Sequence, residues 1–580
     1  MKSSILKYNF LIVLAALLLF VPFLGSVHLF DWDEINFAEC AREMVVTGDY
    51  FSVKINYQYF WEKPPLFIWM QALSMNIFGV NEFAARIPNA IAGCISLLVF
   101  FNIGRKLIDE KFGLIWVLVY VGSFLPHFYF KSGIIDPWFN LFIFCGFYYF
   151  ILFSNYNLPV KVQKTGKTDP NNLDGYKNQK NTRLLLLSAV FIGLGVLTKG
   201  PVAILIFSIC LLVFWVIKKF QAILGLKQLI IFALTVASIG LLWFVILALT
   251  GNLVIIKEFI IYQIRLFNTE DSGHGGPFYY HWIILLIGCF PLSVFALPAL
   301  INPKGELNAD TPFQKHFKLW MLILFWVVLI LFSIVKTKIV HYSSLCYFPL
   351  SFLAAYVLYK LLNEEQVWKK YMGILLIIIS GIIGLVISAL PFIDKYKQII
   401  IDANIIKDKF AVENLKANVT WTNFEWLIGI FLIVGILAMI LLINKNRRKQ
   451  GLIGIFIICL LSVNMASLLI APRIEKYTQS AAIEFYQYLQ NKDCYIETIG
   501  FKSYAHLFYS QKKQPHPSIN SKENRMYQAP SKDSLLKGYI DKPAYFVCKI
   551  TMAEDILKDY PTLNEIYRKN GFVFFVREVK

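Results

Sequence analysis

The sequence predicts a polytopic α-helical membrane protein with a small α/β domain at its C-terminus. Three observations predict it. The 580 residues are 57% hydrophobic and only 16% charged, whereas a soluble domain carries about 25% charge. Apolar runs of roughly 20 residues, each able to cross a hydrocarbon core about 30 Å thick, recur along most of the chain. Beyond residue 471 those runs stop, and shorter segments of mixed polarity replace them. The period-two alternation of a membrane barrel is absent, so the runs are read as helices.

Thirteen runs are read as spans: 9–29, 82–104, 112–130, 134–154, 184–198, 201–217, 228–250, 280–300, 318–335, 341–360, 371–391, 424–443 and 451–471. The first is too long for a signal peptide and no small-residue cleavage site follows it, so it reads as a retained span. Basic residues gather after the even-numbered runs: Arg105, Lys106 and Lys111, then Lys218, Lys219 and Lys227, then Lys369 and Lys370, then "NKNRRK" at 444–449. The net charge of +19 is thus a positive-inside signature plus attraction to anionic lipid, and does not point to nucleic acid. The polar segment 161–183 reads as a cytoplasmic loop without structure of its own.

With that orientation the loop 31–81 and everything after residue 471 face outward. The chain divides into a transmembrane domain, 1–471, and an α/β domain, 472–580. In the first loop, residues 34–46 have helical apolar spacing, Asp33 stands where an N-cap would, and Gly48 supplies a stop. In the tail, "TQSAAIEFYQYLQ" and "TMAEDILKDY" read as helices, and "CYIETIGF", "AYFVCKI" and "GFVFFVREV" as strands. The nine cysteines show no metal-type spacing. Cys494 and Cys548 could form a disulfide if the tail is extracytoplasmic.

The outward turns carry the unusual chemistry. The stretch "FDWDEINFAECAREM" brings Asp31, Asp33, Glu34, Glu39 and Glu43 to the point where the first span leaves the lipid. "YFWEKPPLFIW" adds Glu62 and Lys63, "KSGIIDPW" adds Lys131 and Asp136, and "LTKGPVA" adds Lys199. "IIYQIRLFNTEDSGHGGPFYYHW" adds Arg265, His274 and His281, and "VKTKIVHYSSLCYFP" adds Lys336, Lys338, His341 and Tyr342. Lysines near span ends also serve simply to reach the headgroups. Acids and bases together in tight aromatic turns exceed what an anchor needs and suit a site that handles a phosphate and a hydroxyl. Transporters place ionisable residues at the bilayer midplane. The span interiors here are nearly free of them, which favours catalysis on substrates at the membrane surface over a non-catalytic lipid-linked glycan transporter or flippase.

The residues between 33 and 88 resemble the first outer loop of the C-type, polyprenyl-phosphate-dependent glycosyltransferases, a family that includes aminoarabinose-to-lipid-A transferases and protein O-mannosyltransferases. The resemblance is carried by Asp33-Glu34, Ala38, Ala41-Arg42-Glu43-Met44, Gly48-Asp49, Glu62-Lys63-Pro64-Pro65, Glu82-Phe83, Arg86 and Pro88. "TKGP" at 198–201, "RLF" at 265–267, "HGGPFYY" at 274–280 and "KTKIVHY" at 336–342 match further boxes, so it covers about residues 1–360. The helix before Arg265 departs from the aminoarabinose transferases, reading "EFIIYQIRLF" where they usually carry a Glu-His pair.

The resemblance implies about thirteen transmembrane helices of the C-type fold, juxtamembrane helices on the outer face within 31–81, and a periplasmic C-terminal domain. It implies a multi-pass protein of the bacterial inner membrane whose site faces the periplasm. The donor would be a sugar on polyprenyl phosphate, and the acceptor lipid A, another envelope glycan or a protein, with inversion at the anomeric carbon. Asp33 would be the general base, with Asp136 converging on it. Lys63, Lys199, Arg265 and Lys338 would bind the donor phosphate, and Glu62 would orient Lys63 in the catalytic set. Glu34, His274 and Tyr342 would contact substrate. A divalent metal ion, if one takes part, would sit on Asp33 and Glu62.

Overall fold

The computed structural model describes residues 2–157, 174–268, 275–302, 310–513 and 531–579. Helix is found over all thirteen apolar runs. The first is α1, Lys2–Phe20, and residues 21–32 leave it without helix, so the span read at 9–29 shifts toward the N-terminus. The outer loop then forms α2 (Asp33–Thr47), a two-residue hairpin of β1 (Lys54–Ile55) and β2 (Gln58–Tyr59), and α3 (Leu66–Phe78). Helix α2 ends on Gly48, whose φ of 71° is left-handed and whose N–H returns to the Met44 carbonyl, the expected stop. Its N-cap is Trp32 rather than Asp33, which is already the first helical residue.

Next come α4 (Glu82–Leu107), α5 (Glu110–Val121), α6 (Phe124–Tyr129), α7 (Asp136–Asn157), α8 (Asp174–Lys199) and α9 (Val202–Ile217). The polar segment read as a loop at 161–183 lies outside the described residues up to 173, and from Asp174 it is helix. The run at 228–250 is the pair α10 (Leu226–Gly240) and α11 (Leu242–Leu249), bent by 54°. It is followed by α12 (Leu253–Asn268) and α13 (Tyr280–Ile283). A π-turn at Ile284–Gly288 leads into α14 (Leu292–Ile301). Then come α15 (Pro312–Ile334), a 3₁₀ segment at Val340–Cys346 running into α16 (Tyr347–Leu362), and α17 (Lys370–Lys395). Two short helices, α18 (Lys397–Asp402) and α19 (Lys409–Leu415), precede α20 (Trp426–Asn444) and α21 (Arg448–Leu469). Among the described residues eight helices are long and apolar enough to cross a bilayer, nine if the bent pair is one span. The chain is a multi-pass membrane protein.

The tail is an α/β unit. Helices α22 (Ala471–Thr478), α23 (Ser480–Tyr488), α24 (Ala505–Ser510), α25 (Lys532–Lys537) and α26 (Ala553–Asp559) accompany a four-stranded sheet. Its strands are β3 (Tyr495–Ile499), β4 (Ala544–Lys549), β5 (Asn564–Lys569) and β6 (Phe572–Arg577), in the order β3-β4-β6-β5. The pair β3–β4 is parallel and the other pairs are antiparallel. Tyr495 pairs with Ala544 while Cys548 pairs with Ile499, so Cys494 and Cys548 lie at opposite ends of the ladder. Both are free thiols, and the disulfide considered from the sequence does not form.

Charged groups tie the outer loop to the spans. Glu34 is buried and takes the Arg86 guanidinium in two bonds, 3.0 Å from Nε and 2.8 Å from NH2. It also accepts the N–H groups of Phe30 and Gly133. Arg86 spends its remaining donors on the carbonyls of Leu24, Val27 and His28. One ion pair thus joins α2, α4, the exit of α1 and the turn before α7. Removing one partner strands a buried charge, at a cost of about 3–5 kcal/mol. Glu34→Ala should therefore lower the thermal unfolding temperature of the detergent-solubilised protein markedly. Burial alone would raise the Glu34 carboxyl. The Arg86 charge and hydrogen bond outweigh it, aided by the two N–H groups, and hold it below the ordinary carboxylate range. Its stabilisation is therefore complete above the unfolded-chain value, about 4.3, and is lost as pH falls through the lower folded value. Unfolding temperatures measured across that acidic window check this.

Candidate active site

The ends of several helices meet around one cavity of about 760 Å³. Helix α1 contributes Leu18 and Leu19 near its C-terminus, and α4 contributes Arg86 near its start. Asp136 opens α7 and Lys199 closes α8. The segment before α16 gives His341 and Tyr342, and the last turns of α21 give Met465 and Leu468. Because α1, α8 and α21 arrive by their C-termini and α4 and α7 leave by their N-termini, the cavity lies at one end of the bundle. Asp33, Glu34, Glu62 and Lys63 enter from the outer loop. The α/β unit sits on the same end: the Tyr509 hydroxyl receives the Leu29 N–H at 2.7 Å, and Trp32 packs on Tyr504 at 5.4 Å.

Each charged group is set by a local rule. In "TKGP", Gly200 has φ of 94° and its N–H returns to the Val196 carbonyl. That left-handed turn ends α8 at Lys199, and Pro201 opens α9. The Lys199 ammonium pairs with Asp136, which is buried. It lies 5.6 Å from the Phe139 ring and 5.1 Å from the Tyr342 ring. His341 stands between the two aspartates, with Nε2 3.0 Å from Asp33 Oδ2 and 3.8 Å from Asp136 Oδ2. Burial raises the Asp33 carboxyl, but the hydrogen bond and charge of His341, with Lys63 and Lys199 behind them, hold it below its usual range.

Tyr262 organises the other wall. Its hydroxyl donates to Glu62 at 3.1 Å, and its ring carries Lys63 at 5.2 Å and Arg265 at 5.3 Å. Tyr262 and Arg265 are three apart on α12 and share a face. Lys63 makes no hydrogen bond among the described residues. Burial lowers its pKa against the opposing charges of Glu62 and Asp33. The arrangement is an ammonium held ready beside carboxylates in a partly apolar cavity, which suits an anionic group attached to an apolar chain.

Several residues singled out from the sequence are committed to other partners. Lys338 is buried and its ammonium bonds the carbonyls of Phe332, Ser333 and Val335 at 3.0, 2.7 and 2.5 Å. It closes the C-terminus of α15, where a cation is favoured. It does not line the cavity. Glu34 borders the cavity but is committed to Arg86. Lys131 lines the cavity with its ammonium on the Leu19 carbonyl. His274 lies outside the described residues. Asp33 and Glu62 engage different partners, His341 and Tyr262. Among the described residues no three His, Cys, Asp or Glu side chains gather as a metal ion requires. The donor set does not fit the divalent ion considered from the sequence, and no step below runs through one.

Two solved structures share this architecture. The crystal structure of ArnT from Cupriavidus metallidurans in the apo state aligns with a TM-score of 0.74 over 100% of this chain and 98% of its own, at 16% identity. The same protein bound to undecaprenyl phosphate aligns with a TM-score of 0.70 over 98% of each chain, at 17% identity. The chain has the C-type glycosyltransferase fold. The resemblance read from the outer-loop boxes holds. The family profile of the dolichyl-phosphate-mannose-protein mannosyltransferases matches residues 62–159 of this C-type chain. The undecaprenyl phosphate-alpha-4-amino-4-deoxy-L-arabinose arabinosyl transferase of Edwardsiella ictaluri is 27% identical over 394 residues, 66% of this chain and 65% of its own length. The protein of the same description from Shewanella sediminis is 26% identical over 355 residues, 61% and 60% of the two lengths. The C-type chain thus spans slightly under two thirds of these curated relatives. From the sequence His341 was singled out among the polar residues of its turn but given no role, and Tyr262 was not singled out. The signals for them were the histidine beside Tyr342 in "KTKIVHY" and a tyrosine one helical turn before Arg265.

Proposed function

We propose that the protein is an inverting glycosyltransferase of the bacterial inner membrane. It moves a sugar from polyprenyl phosphate to an acceptor at the periplasmic face, in a transmembrane domain of about thirteen spans, 1–471, capped by the periplasmic domain 472–580. The observation that carries the reading is Lys63, a cavity ammonium without a hydrogen-bond partner among the described residues, close to Asp33 and Lys199 and sharing the Tyr262 ring with Arg265, which does not itself line the cavity. As the anomeric bond breaks, polyprenyl phosphate gains negative charge. Cations fixed in a dry site stabilise that charge more than water would. Lys63 leads this clamp, with Lys199 and Arg265 supporting it and Tyr342 and Tyr262 shaping the walls. Asp33 and Asp136 serve the attacking side, and Glu62 positions Lys63 through the shared Tyr262. The apolar walls from α1 and α21 suit the polyprenyl chain. Lipid A or another envelope glycan is the acceptor class; Lys338 belongs to the scaffold of the site.

The test is reconstitution into liposomes with undecaprenyl phosphate-linked 4-amino-4-deoxy-L-arabinose and, separately, undecaprenyl phosphate-linked mannose, each with an envelope glycolipid extract. Acceptor-dependent release of undecaprenyl phosphate and a product of inverted anomeric configuration by NMR are expected. Movement of intact donor between leaflets without its cleavage would favour a flippase instead.

A further inference from the structure

Five acidic side chains line the cavity. Asp31 hydrogen-bonds Ser503, and burial raises its carboxyl to about 6; the other four have different kinds of partner. Glu34 is held by Arg86, Asp136 by Lys199 and Glu62 by the Tyr262 hydroxyl. Arginine, lysine and tyrosine ordinarily keep their protons until about pH 10 or above. Asp33 is bonded to an imidazole, the side chain whose ordinary titration lies nearest neutrality. His341 lines the cavity with 18% of its side-chain surface exposed, and Asp33 with 27%. The ring stands at the start of the 3₁₀ segment before α16, beside Tyr342 at 5.4 Å and 74°. The Tyr342 N–H returns to the Ile339 carbonyl and Lys338 fixes the preceding turn on α15, so the imidazole is carried on braced backbone. Nε2 is taken by Asp33, and Nδ1 has no hydrogen-bond partner among the described residues.

We propose that His341 is the proton acceptor of the transfer reaction, oriented by Asp33, and that the acceptor substrate therefore attacks through a hydroxyl rather than a phosphate. The inference rests on the glycosyltransferase reading above and sharpens it. With Nε2–H donated to Asp33, Nδ1 is the accepting nitrogen. A hydroxyl loses its proton to Nδ1 as its oxygen bonds the anomeric carbon. The bond from that carbon to the phosphate oxygen breaks, and polyprenyl phosphate leaves with the electron pair, its charge met by Lys63. The imidazolium so formed is stabilised by Asp33, and by Asp136 at 3.8 Å, and later returns its proton to solvent. A phosphate nucleophile brings no proton that must be removed, and would leave this pair without work.

The division of labour follows from proton affinity. General-base catalysis is most efficient when the base titrates near the working pH. Asp33 is held below the ordinary carboxylate range and is a correspondingly weak acceptor. A carboxylate that fixes the tautomer of an imidazole, which in turn takes the proton, is the arrangement that nucleophilic enzymes reach on unrelated folds. The charged and titratable groups facing His341 are Asp33 from α2, Asp136 from α7 with Lys199 of α8 behind it, and Lys63 from the outer loop. Tyr342 stands on its own segment and His281 on α13. The two carboxylates are the nearest of these.

The experiment is single-turnover transfer in liposomes from undecaprenyl phosphate-linked 4-amino-4-deoxy-L-arabinose or mannose to the envelope glycolipid extract, followed across pH. The wild type should show a rate that rises with pH along one acidic limb. Its product should resist mild acid, as an O-glycoside does, whereas a glycosyl phosphate is cleaved. His341→Gln should cut the rate about ten-thousandfold, abolish the acidic limb and leave equilibrium binding of undecaprenyl phosphate unchanged. Full rate with an unaltered pH profile in His341→Gln overturns the proposal. So does an acid-labile wild-type product, a measurement that needs no variant and stands even if the substitution disturbs folding. Failure of the broader reading looks different: the wild type would release no undecaprenyl phosphate from either donor with any acceptor.

Discussion

Lys63→Met should slow sugar transfer about a thousandfold while the protein folds as before. Removing one donor aimed at developing negative charge in a preorganised site costs about 10²–10³ in rate. Lys63 is placed for that role, because its ammonium makes no hydrogen bond among the described residues; removing it costs only its contact with the Tyr262 ring and its charge beside Asp33. Methionine keeps the apolar stem over the Tyr262 ring. Stability should not fall. Burial already disfavours the charged form of Lys63 in the folded protein, so deleting the charge removes a folding cost, the usual trade between stability and function at a site. Lys199→Met is the contrasting case. It leaves buried Asp136 without its cation, so it should lose stability as well as rate, by about 3–5 kcal/mol. For Lys63→Met, kcat and kcat/KM should fall together if the ammonium acts on the transition state. A rise in KM alone would mean that it binds the phosphate equally before and during reaction. Near-wild-type turnover in well-folded Lys63→Met would remove Lys63 from the clamp.

What was legible in the sequence follows from which forces act locally. Bilayer-length apolar runs read correctly as helix because the lipid leaves the backbone no alternative. The breaks within them did not read, since they depend on packing: α5 stops at Gly122, α10 bends into α11, and a π-turn separates α13 from α14. Strands β3, β4 and β6 were legible through apolar runs, but β5 was not. Its residues "NEIYRK" are all exposed and polar enough to hide an edge strand. The Asn570-Gly571 pair beside it was the available hairpin signal. In the site, the rarity of acids and lysines in the turns between apolar runs exposed Asp33, Lys63, Asp136 and Lys199, which the cavity gathers. Their partners were hidden because pairing is a tertiary fact. Glu34 finds Arg86 52 positions away, and Lys338 turns back onto its own helix end instead of the cavity.

Asp33→Asn should reduce transfer by about 10³–10⁴-fold, approaching the loss expected on removing His341 itself. The size comes from the imidazole it holds. An asparagine of the same shape can donate to Nε2 through its amide, which fixes the wrong tautomer and leaves Nδ1 protonated; where an Asp-His pair serves a nucleophile, that change costs about 10⁴ in rate. The competing account of Asp33, a helix cap, has a distinct signature. Trp32 holds the N-cap position of α2 and its side chain makes no capping bond, so Asp33 is a first-turn residue. Its contribution to the helix is then the dipole interaction, about 0.3–1 kcal/mol, a shift of a degree or two in unfolding for a chain this long. Rate and unfolding temperature measured on one preparation therefore separate the roles: a large rate loss with a small thermal shift assigns Asp33 to the reaction. Asp136→Asn cannot serve in its place, because it would leave Lys199 without its carboxylate and mix folding with chemistry. Should Asp33→Asn transfer sugar at the wild-type rate, Asp33 does not orient a proton-accepting imidazole in this cavity. The carboxylate would then be part of the outer helix start.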